Sequence, residues 1–541
     1  HGVDLAFCVP GESYLGLTDA LIDFPNIRLV VCRQEGGAGF MAFSDGRMRG
    51  KAGVAIVSRG PGATNASIAV HCAYHDATPL VIFVGQAERK DLGRLALQEQ
   101  NWSKTFSDMT KMVIEVNDGA MISEAAARAF HVAESGTPGP VAVVLPEDML
   151  ADEIDAPVTG PAKPVRPGPA ADDLERAVDM LRKAEKPLVL VGGTLWGEQA
   201  LADLTKLSET WNIPVCPTHR RPHLFDSGHA NYGGYVGNRV PGPQIDIMRE
   251  TDLLIALGER LGDSVSQSYT FPNAPVPQFP LVHVWPDAAE IGRVWQPTVG
   301  IASDPHEFIK ALLKLDAGKA PSGRKDWIGR LNAKHRELTD WKDAESNDGV
   351  PFGNVCAAIG RHMADDAVVT TDAGNFSTWI HRCMWFKQSN MFAGASVGAM
   401  GPAVPAAIAA GLRWPGRQAI AVVGDGGFQM TGNEFSTARQ YGVPLKVFVS
   451  NNGSYGTIRM HQEGRYPGRT YATELFNPDF ARLAEAYGAK GLKVENNGDV
   501  ETVVKEALEH DGPVIVDCRT SLSYLSAWRR LEDFPAYKGK N

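Results

Sequence analysis

The stretch Ala419–Ser454 constrains this chain more than any other. The apolar run Ala419-Ile420-Ala421-Val422-Val423 ends in Gly424-Asp425-Gly426-Gly427. A helix-like segment follows, and a second apolar run, Val447-Phe448-Val449, ends in Asn451-Asn452. This is strand, turn, helix, strand, with polar residues at the carboxyl ends of two neighbouring parallel strands, where open α/β sheets bind ligands. One carboxylate (Asp425) and one amide oxygen (Asn452), with a backbone carbonyl, suit a hard cation such as Mg²⁺, which completes its octahedron with phosphate oxygens and water. The glycines admit backbone N–H groups to a phosphate, and a helix after Gly427 points its N-terminus there. The stretch reads as a clamp for Mg²⁺ and a diphosphate. A GDG triplet alone is ordinary turn chemistry; its pairing with Asn451-Asn452 makes it specific.

The remaining chain repeats the same alternation. Apolar runs at Leu5–Val9, Ile27–Val31, Gly53–Val57 and Leu80–Val84 are separated by helical segments around Tyr14–Ile22, Gly36–Met48 and Ala63–His75. The pattern predicts a parallel sheet covered on both faces. Glu35 stands at a strand end and opens a helix, which the helix dipole favours. A proline-rich tether spans Ala156–Ala170, and a second α/β unit follows with strands expected at Leu188–Val191, Ile213–Cys216, Leu253–Leu257 and Leu281–Val284. Ala317–Gly323 reads as a second linker. In the third unit, Val368–Thr371 ends in Asp372-Ala373-Gly374-Asn375.

Length and charge bound the function. A chain of 541 residues allows about three domains. The net charge of −10, with no basic block, argues against a nucleic-acid partner, and no apolar run reaches membrane-spanning length. Seven scattered cysteines without a CxxC pair predict reduced core residues and a cytoplasmic protein.

GDG followed by NN resembles the thiamine diphosphate (ThDP) signature. From Pro10 to about Ser521 the chain resembles the acetolactate synthase-like branch of ThDP-dependent 2-oxoacid enzymes. The resemblance implies an α/β fold of three doubly wound parallel-sheet domains: pyrimidine-binding (1–155), central and Rossmann-like (171–320), and diphosphate- and Mg-binding (345–525). It implies that Glu35 contacts N1′ of the aminopyrimidine and is the first catalytic residue. Arg59-Gly60-Pro61-Gly62-Ala63-Thr64-Asn65 is similar to the family's SGPGATN, with Arg59 for serine, and places Pro61 and Asn65 at the cofactor. Gln98 lies in a segment similar to GQ…FQE, with Leu97 for phenylalanine, and is a donor candidate for a substrate carbonyl or carboxylate. His71 and His75 are acid–base candidates.

In the third domain the resemblance turns Asn375 toward the diphosphate. Ser396–Gly401 resembles GxGxMG, in which the Gly398 carbonyl accepts from the 4′-amino group and Met400 props the bent cofactor. Gly424, Asp425, Gly426, Gly427, Asn452, Ser454, Tyr455 and Gly456 are assigned to the diphosphate turn. Asp425, Asn452 and the Ser454 carbonyl are assigned to Mg²⁺. His461 stands where acetolactate synthases carry a tryptophan that helps choose the second 2-oxoacid, so it is a substrate-pocket candidate. The tail after Ser521, with Tyr524, Trp528, Arg529 and Arg530, is expected to fold over the site as a lid. Gly258–Asp263 and Asp287–Ile291 resemble FAD-holding segments without a GxGxxG, leaving FAD, another nucleotide or an empty central domain open. The family's helix before the first strand is missing from this sequence, which leaves the natural N-terminus open.

The implied activity is decarboxylation of pyruvate or a similar 2-oxoacid, then transfer of the remaining fragment to a carbonyl acceptor. The alternatives are a simple 2-oxoacid decarboxylase, a 2-hydroxyacyl-CoA or benzaldehyde-type lyase, and a non-catalytic regulatory paralogue. In the family, the glutamate and the diphosphate clamp meet across a subunit interface. The expected assembly is therefore a homodimer at least, usually a homotetramer, acting on small 2-oxoacids or aldehydes.

Overall fold

Runs of Val, Ile, Leu and Ala that end in glycine or a polar residue become the strands of three parallel sheets in the computed structural model, which describes residues 1–161 and 163–534. The first sheet comprises β1 (Leu5–Cys8), β2 (Arg28–Val31), β3 (Gly53–Val57), β4 (Leu80–Gln86), β5 (Met112–Glu115) and β6 (Pro140–Pro146), in the order β2-β1-β3-β4-β6-β5. The second comprises β7 (Pro187–Val191), β8 (Val215–Pro217), β9 (Leu253–Leu257), β10 (Leu281–Trp285) and β11 (Val299–Ala302), in the order β11-β10-β9-β7-β8. The third comprises β12 (Val368–Thr371), β13 (Met391–Ala393), β14 (Ala419–Gly424), β15 (Lys446–Asn451), β16 (Lys490–Val494) and β17 (Val514–Arg519), in the order β13-β12-β14-β15-β17-β16. Helices cover the sheets, so the inner strands are buried on both faces and read as continuous apolar runs.

The first and third sheets have the same strand order, and their layers share one hydrophobic core. The helix Glu35–Arg49 sits in the middle of that core and packs on the helices Pro61–His75 and Ala403–Arg413. Its glycines explain how: a Cβ on Gly39 would meet Ala69 at 2.7 Å, so only glycine permits this approach. Gln34 caps the helix by accepting from Gly37 N at 3.1 Å, and Gly50 ends it in the left-handed region.

Candidate active site

The β14–β15 register pairs Gly424 with Ser450, which sets Asp425 and Asn452 just beyond the ends of adjacent strands. The helix opens at Asp425, three residues earlier than the sequence suggests, because Asp425 already takes helical geometry after the extended Gly424. Gly426 and Gly427 therefore form its first turn, where backbone N–H groups lack helical partners. Asp425 is 3% exposed. Its Oδ1 accepts from Gly426 N at 2.9 Å, and its Oδ2 accepts from Gly453 N and Asn477 Nδ2, each at 2.8 Å. Burial pushes this carboxyl above the usual range while those donors pull it back. Asn477 also donates to Asn451 Oδ1 at 2.8 Å, so it ties the two strand ends together. No motif marks Asn477 in the sequence.

The loop after Asn452 is held from the same side. Asn452 Oδ1 accepts from Ser454 N at 3.0 Å; Tyr455 N donates to Thr473 O and Leu475 N to Gly453 O, each at 2.8 Å. Ser454 is buried, and its Oγ has no protein partner among the described residues. A Cβ on Gly426 would lie 2.6 Å from the Tyr455 ring, and one on Gly427 would overlap the Asp372 carboxylate.

These residues wall a cavity of about 230 Å³. Asn375, Gly398, Met400, Gly424, Asp425, Gly426, Gly427, Asn452, Ser454, Tyr455 and Gly456 all line it, so the third-domain candidates converge. Phe376, Thr457, Ser521 and Tyr524 line it too, and only Tyr524 carried an expectation, as part of the tail. Asp372 packs behind the lining against Gly427. Its oxygens accept from Gly401 N at 2.9 Å and Ala403 N at 2.7 Å, fixing the loop that carries Gly398 (φ 87°) and Met400. Burial raises the Asp372 carboxyl to about 6. The tail crosses the site: Leu525 and Ala527 are buried, and Arg382 donates to Ala527 O and lies over the Trp528 ring.

The first-domain candidates form a second cluster. Glu35 Oε2 accepts from Asn65 Nδ2 at 2.9 Å, which leaves Oε1 beside Gly62. Buried Glu434, from the third unit, accepts from Arg33 N and Gln34 N at 3.0 Å, pinning the backbone just before Glu35. Gly60 (φ 54°) packs on Gln98, itself in the left-handed region at φ 61°. Pro61 is the first residue of the helix that carries Asn65. Glu35, Pro61, Asn65 and Gln98 do not line the Asp425 cavity of their own chain.

The histidines diverge. His71 is exposed and lines neither the Asp425 cavity nor the larger one joined to it; its ring lies 4.4 Å from that of His75. His75 faces a central-domain cavity with Arg260. His461 lines a larger cavity between the second and third units, which shares Gly374, Asn375, Gly398 and Thr457 with the Asp425 cavity. Lys111, in a Thr110-Lys111 pair similar to the family's TK and expected to be exposed, is instead half-buried and donates to Ser135 O at 2.7 Å at the end of the helix Ile122–Glu134.

In the central sheet the strand order reverses between β7 and β9, where a dinucleotide's pyrophosphate would lie. That crevice holds the half-buried Glu259, whose carboxylate accepts from Thr218 Oγ1 at 2.5 Å and would overlap any Cβ on Gly192. A carboxylate there does not fit a pyrophosphate.

Three family models match the chain: the thiamine pyrophosphate enzyme N-terminal TPP binding domain over residues 1–107, the central domain over 174–312, and the C-terminal TPP binding domain over 372–518. Fold and site thus have the organisation of a thiamine diphosphate enzyme. An acetolactate synthase large subunit of Corynebacterium glutamicum is 32% identical over 95% of this chain and 84% of its own length. One from Lactococcus lactis subsp. lactis is 30% identical over 96% and 91%. The mitochondrial acetolactate synthase of Schizosaccharomyces pombe is 30% identical over 96% and 81%. The chain belongs to the acetolactate synthase family of thiamine diphosphate-dependent enzymes.

Proposed function

We propose that this enzyme uses ThDP and Mg²⁺ to decarboxylate pyruvate or a similar 2-oxoacid and to join the remaining fragment to a carbonyl acceptor. The observation that carries the reading is the convergence of Asp425, Asn452, Ser454, Gly398 and Met400 on one cavity at the ends of β14 and β15. A carboxylate, an amide oxygen and a carbonyl are the donor set of a hard cation that shares its shell with phosphate. The first-turn amides of Gly426 and Gly427 and the Cβ-free floor suit the diphosphate. Bound ThDP supplies a nucleophilic carbon and an electron sink for loss of CO₂. Glu35 holds and returns a proton at Oε1, with Oε2 anchored by Asn65. Tyr524 and Leu525 keep water from the cavity. Gln98 and His461 are assigned to the substrate. His71, which lines neither cavity of its own chain, is assigned as an acid–base group to the centre of a second chain.

Two chains are needed to complete a centre on this reading, because Glu35 and Asp425 face different spaces within one chain. The exposed apolar side chains Ile68, Leu97, Met430 and Phe476, beside the two half-sites, support a covered face. The minimal unit is therefore a homodimer, with a homotetramer as its doubled form. FAD is left out of the reaction because Glu259 occupies the crevice. No described helix is long and apolar enough to cross a membrane, and a cytoplasmic location is the reading adopted. The test is to incubate protein, Mg²⁺ and ThDP with a panel of 2-oxoacids, with and without aldehydes, and follow CO₂ and products. Cofactor binding with CO₂ release and a ligated product is expected. Absence of ThDP binding, or of CO₂ from every acid, would overturn the proposal.

A further inference from the structure

The larger cavity, about 900 Å³, opens off the cofactor cavity at Gly374, Asn375 and Gly398. A three-carbon 2-oxoacid fills a small part of such a volume, which is of the size that holds ligands of drug-like bulk. Its lining is unbalanced in charge: Arg220, Arg239 and Arg529 face it, against the single carboxylate of Asp263, while burial holds its four histidines toward the neutral form. The whole chain carries a net charge of −10, so this imbalance is local and not a reflection of composition.

The three arginines are not equivalent. Arg220 is committed to structure, with Nη2 donating to Asp372 O at 2.9 Å. Arg239 and Arg529 are exposed at the cavity wall, one from the central unit and one from the tail. Neither has a carboxylate within ion-pair distance among the described residues, whereas nearby Arg249 and Arg530 pair with Asp246 and Glu532. Arg239 is also presented in a particular way. It adopts φ 61°, a conformation in which a non-glycine residue is strained. Gln267 braces the loop on both sides of it, with Oε1 accepting from Val240 N at 2.7 Å and Nε2 donating to Gly237 O at 2.8 Å. Gln267 is itself at φ 51°. A strained loop held from both sides fixes where the guanidinium starts.

We propose that Arg239 and Arg529 read an anionic group at the far end of the substrate, so that one reaction partner carries a carboxylate or phosphate distant from its reacting carbonyl. The inference rests on the function proposed above and names the substrate class for it. His461 lines the same cavity and is assigned as a hydrogen-bonding neighbour of that group.

Calorimetry on the Mg²⁺–ThDP holoenzyme tests it, with glutarate and glycerol 3-phosphate as anionic probes and glutaramide and glycerol as neutral ones. One anionic probe is expected to bind saturably, and Arg239→Ala and Arg529→Ala each to weaken it about tenfold, with Arg239→Lys retaining part of the affinity. The probe that binds tells carboxylate from phosphate. Binding of neither anion, or equal binding to wild type and both alanine variants, would overturn the inference. ThDP titration of the same samples reports folding and scores the proposed function separately, since cofactor binding does not depend on Arg239. Kinetics with succinic semialdehyde against butanal add a second readout: a preference for the charged aldehyde that disappears in Arg239→Ala supports the inference, and equal use of both by wild type counts against it.

Discussion

The two outer sheets share a strand order yet place different chemistry on the same topological positions. After the second strand of the first sheet comes Glu35; after the second strand of the third sheet comes the loop with Gly398 and Met400. After the third strands come Pro61 and Asp425, and after the fourth come Gln98 and Asn452. The Asp425 end of the third-sheet set is enclosed by its own chain, with Asp425 almost fully buried and Asn477, Thr473 and Leu475 bracing it, while Gly398 is exposed. The first-sheet set stays open, with Asn65 and Gln98 exposed. One half-site is finished within the chain and the other is not. The ends of equivalent strands therefore diverge through what covers them, and not through how the sheet is built.

The most severe test of this comparison is Glu35→Gln. It should lower kcat by roughly 10²–10⁴-fold while ThDP binding stays within a few-fold, because the change removes a proton and not the clamp. Cofactor titration beside turnover checks it, and an unaffected rate removes Glu35 from the mechanism. Asp425→Asn should do the reverse, weakening Mg²⁺-dependent ThDP binding by at least the roughly 10–100-fold seen when groups that merely orient a metal's ligands are lost. If ThDP affinity in that variant matches wild type, the finished half-site has been misread.

Glu434→Ala should act on the open half from a distance. It strips the acceptor from two backbone amides ahead of Glu35, at a cost of about 1–3 kcal/mol in melting experiments, and should lower kcat more than it alters ThDP affinity. A fall in ThDP affinity with kcat preserved would instead assign Glu434 to the clamp. The smallest expected effect is at Asp372. Its folded pKa of about 6 lies above the ordinary carboxyl value, so its contribution favours folding more as pH falls from 6 toward 4 and is unfavourable above that window. Asp372→Asn should flatten the stability profile across that window. Melting temperatures at intervals of half a pH unit would show it, and a profile unchanged from wild type removes Asp372 as its source.

Much of this was legible in the sequence because strand-end chemistry is local. Asp425, Asn452 and the glycines between them sit in one continuous stretch, and each expected strand there lies within a residue or two of the observed one. The strands β5, β11, β13 and β16 were not assigned because they are edge strands of only three to five residues, too short for apolar runs such as Met112–Ile114 or Met391–Ala393 to stand out. β6 and β17 are interior and apolar, so their signal was present and went unused. Asn477 and Glu434 were invisible for another reason. Each acts on a partner distant in the chain, Asp425 or the Arg33 and Gln34 amides, and no local pattern records such a pairing. His71 and His75 were singled out because the resembling enzymes carry mostly small or apolar residues on that helix, and such a departure does not tell which cavity a side chain faces.

The grip of Glu434 on Arg33 and Gln34 has a genetic consequence. On the proposed arrangement, each chain lends Glu35 to one centre and Asp425 to the other, and the grip joins the two loans into a single rigid body. Two dead proteins should then repair one another. A Glu35→Gln chain mixed with an Asp425→Asn chain can form a dimer in which one centre combines both lesions and the other has neither, so activity returns on mixing inactive parents.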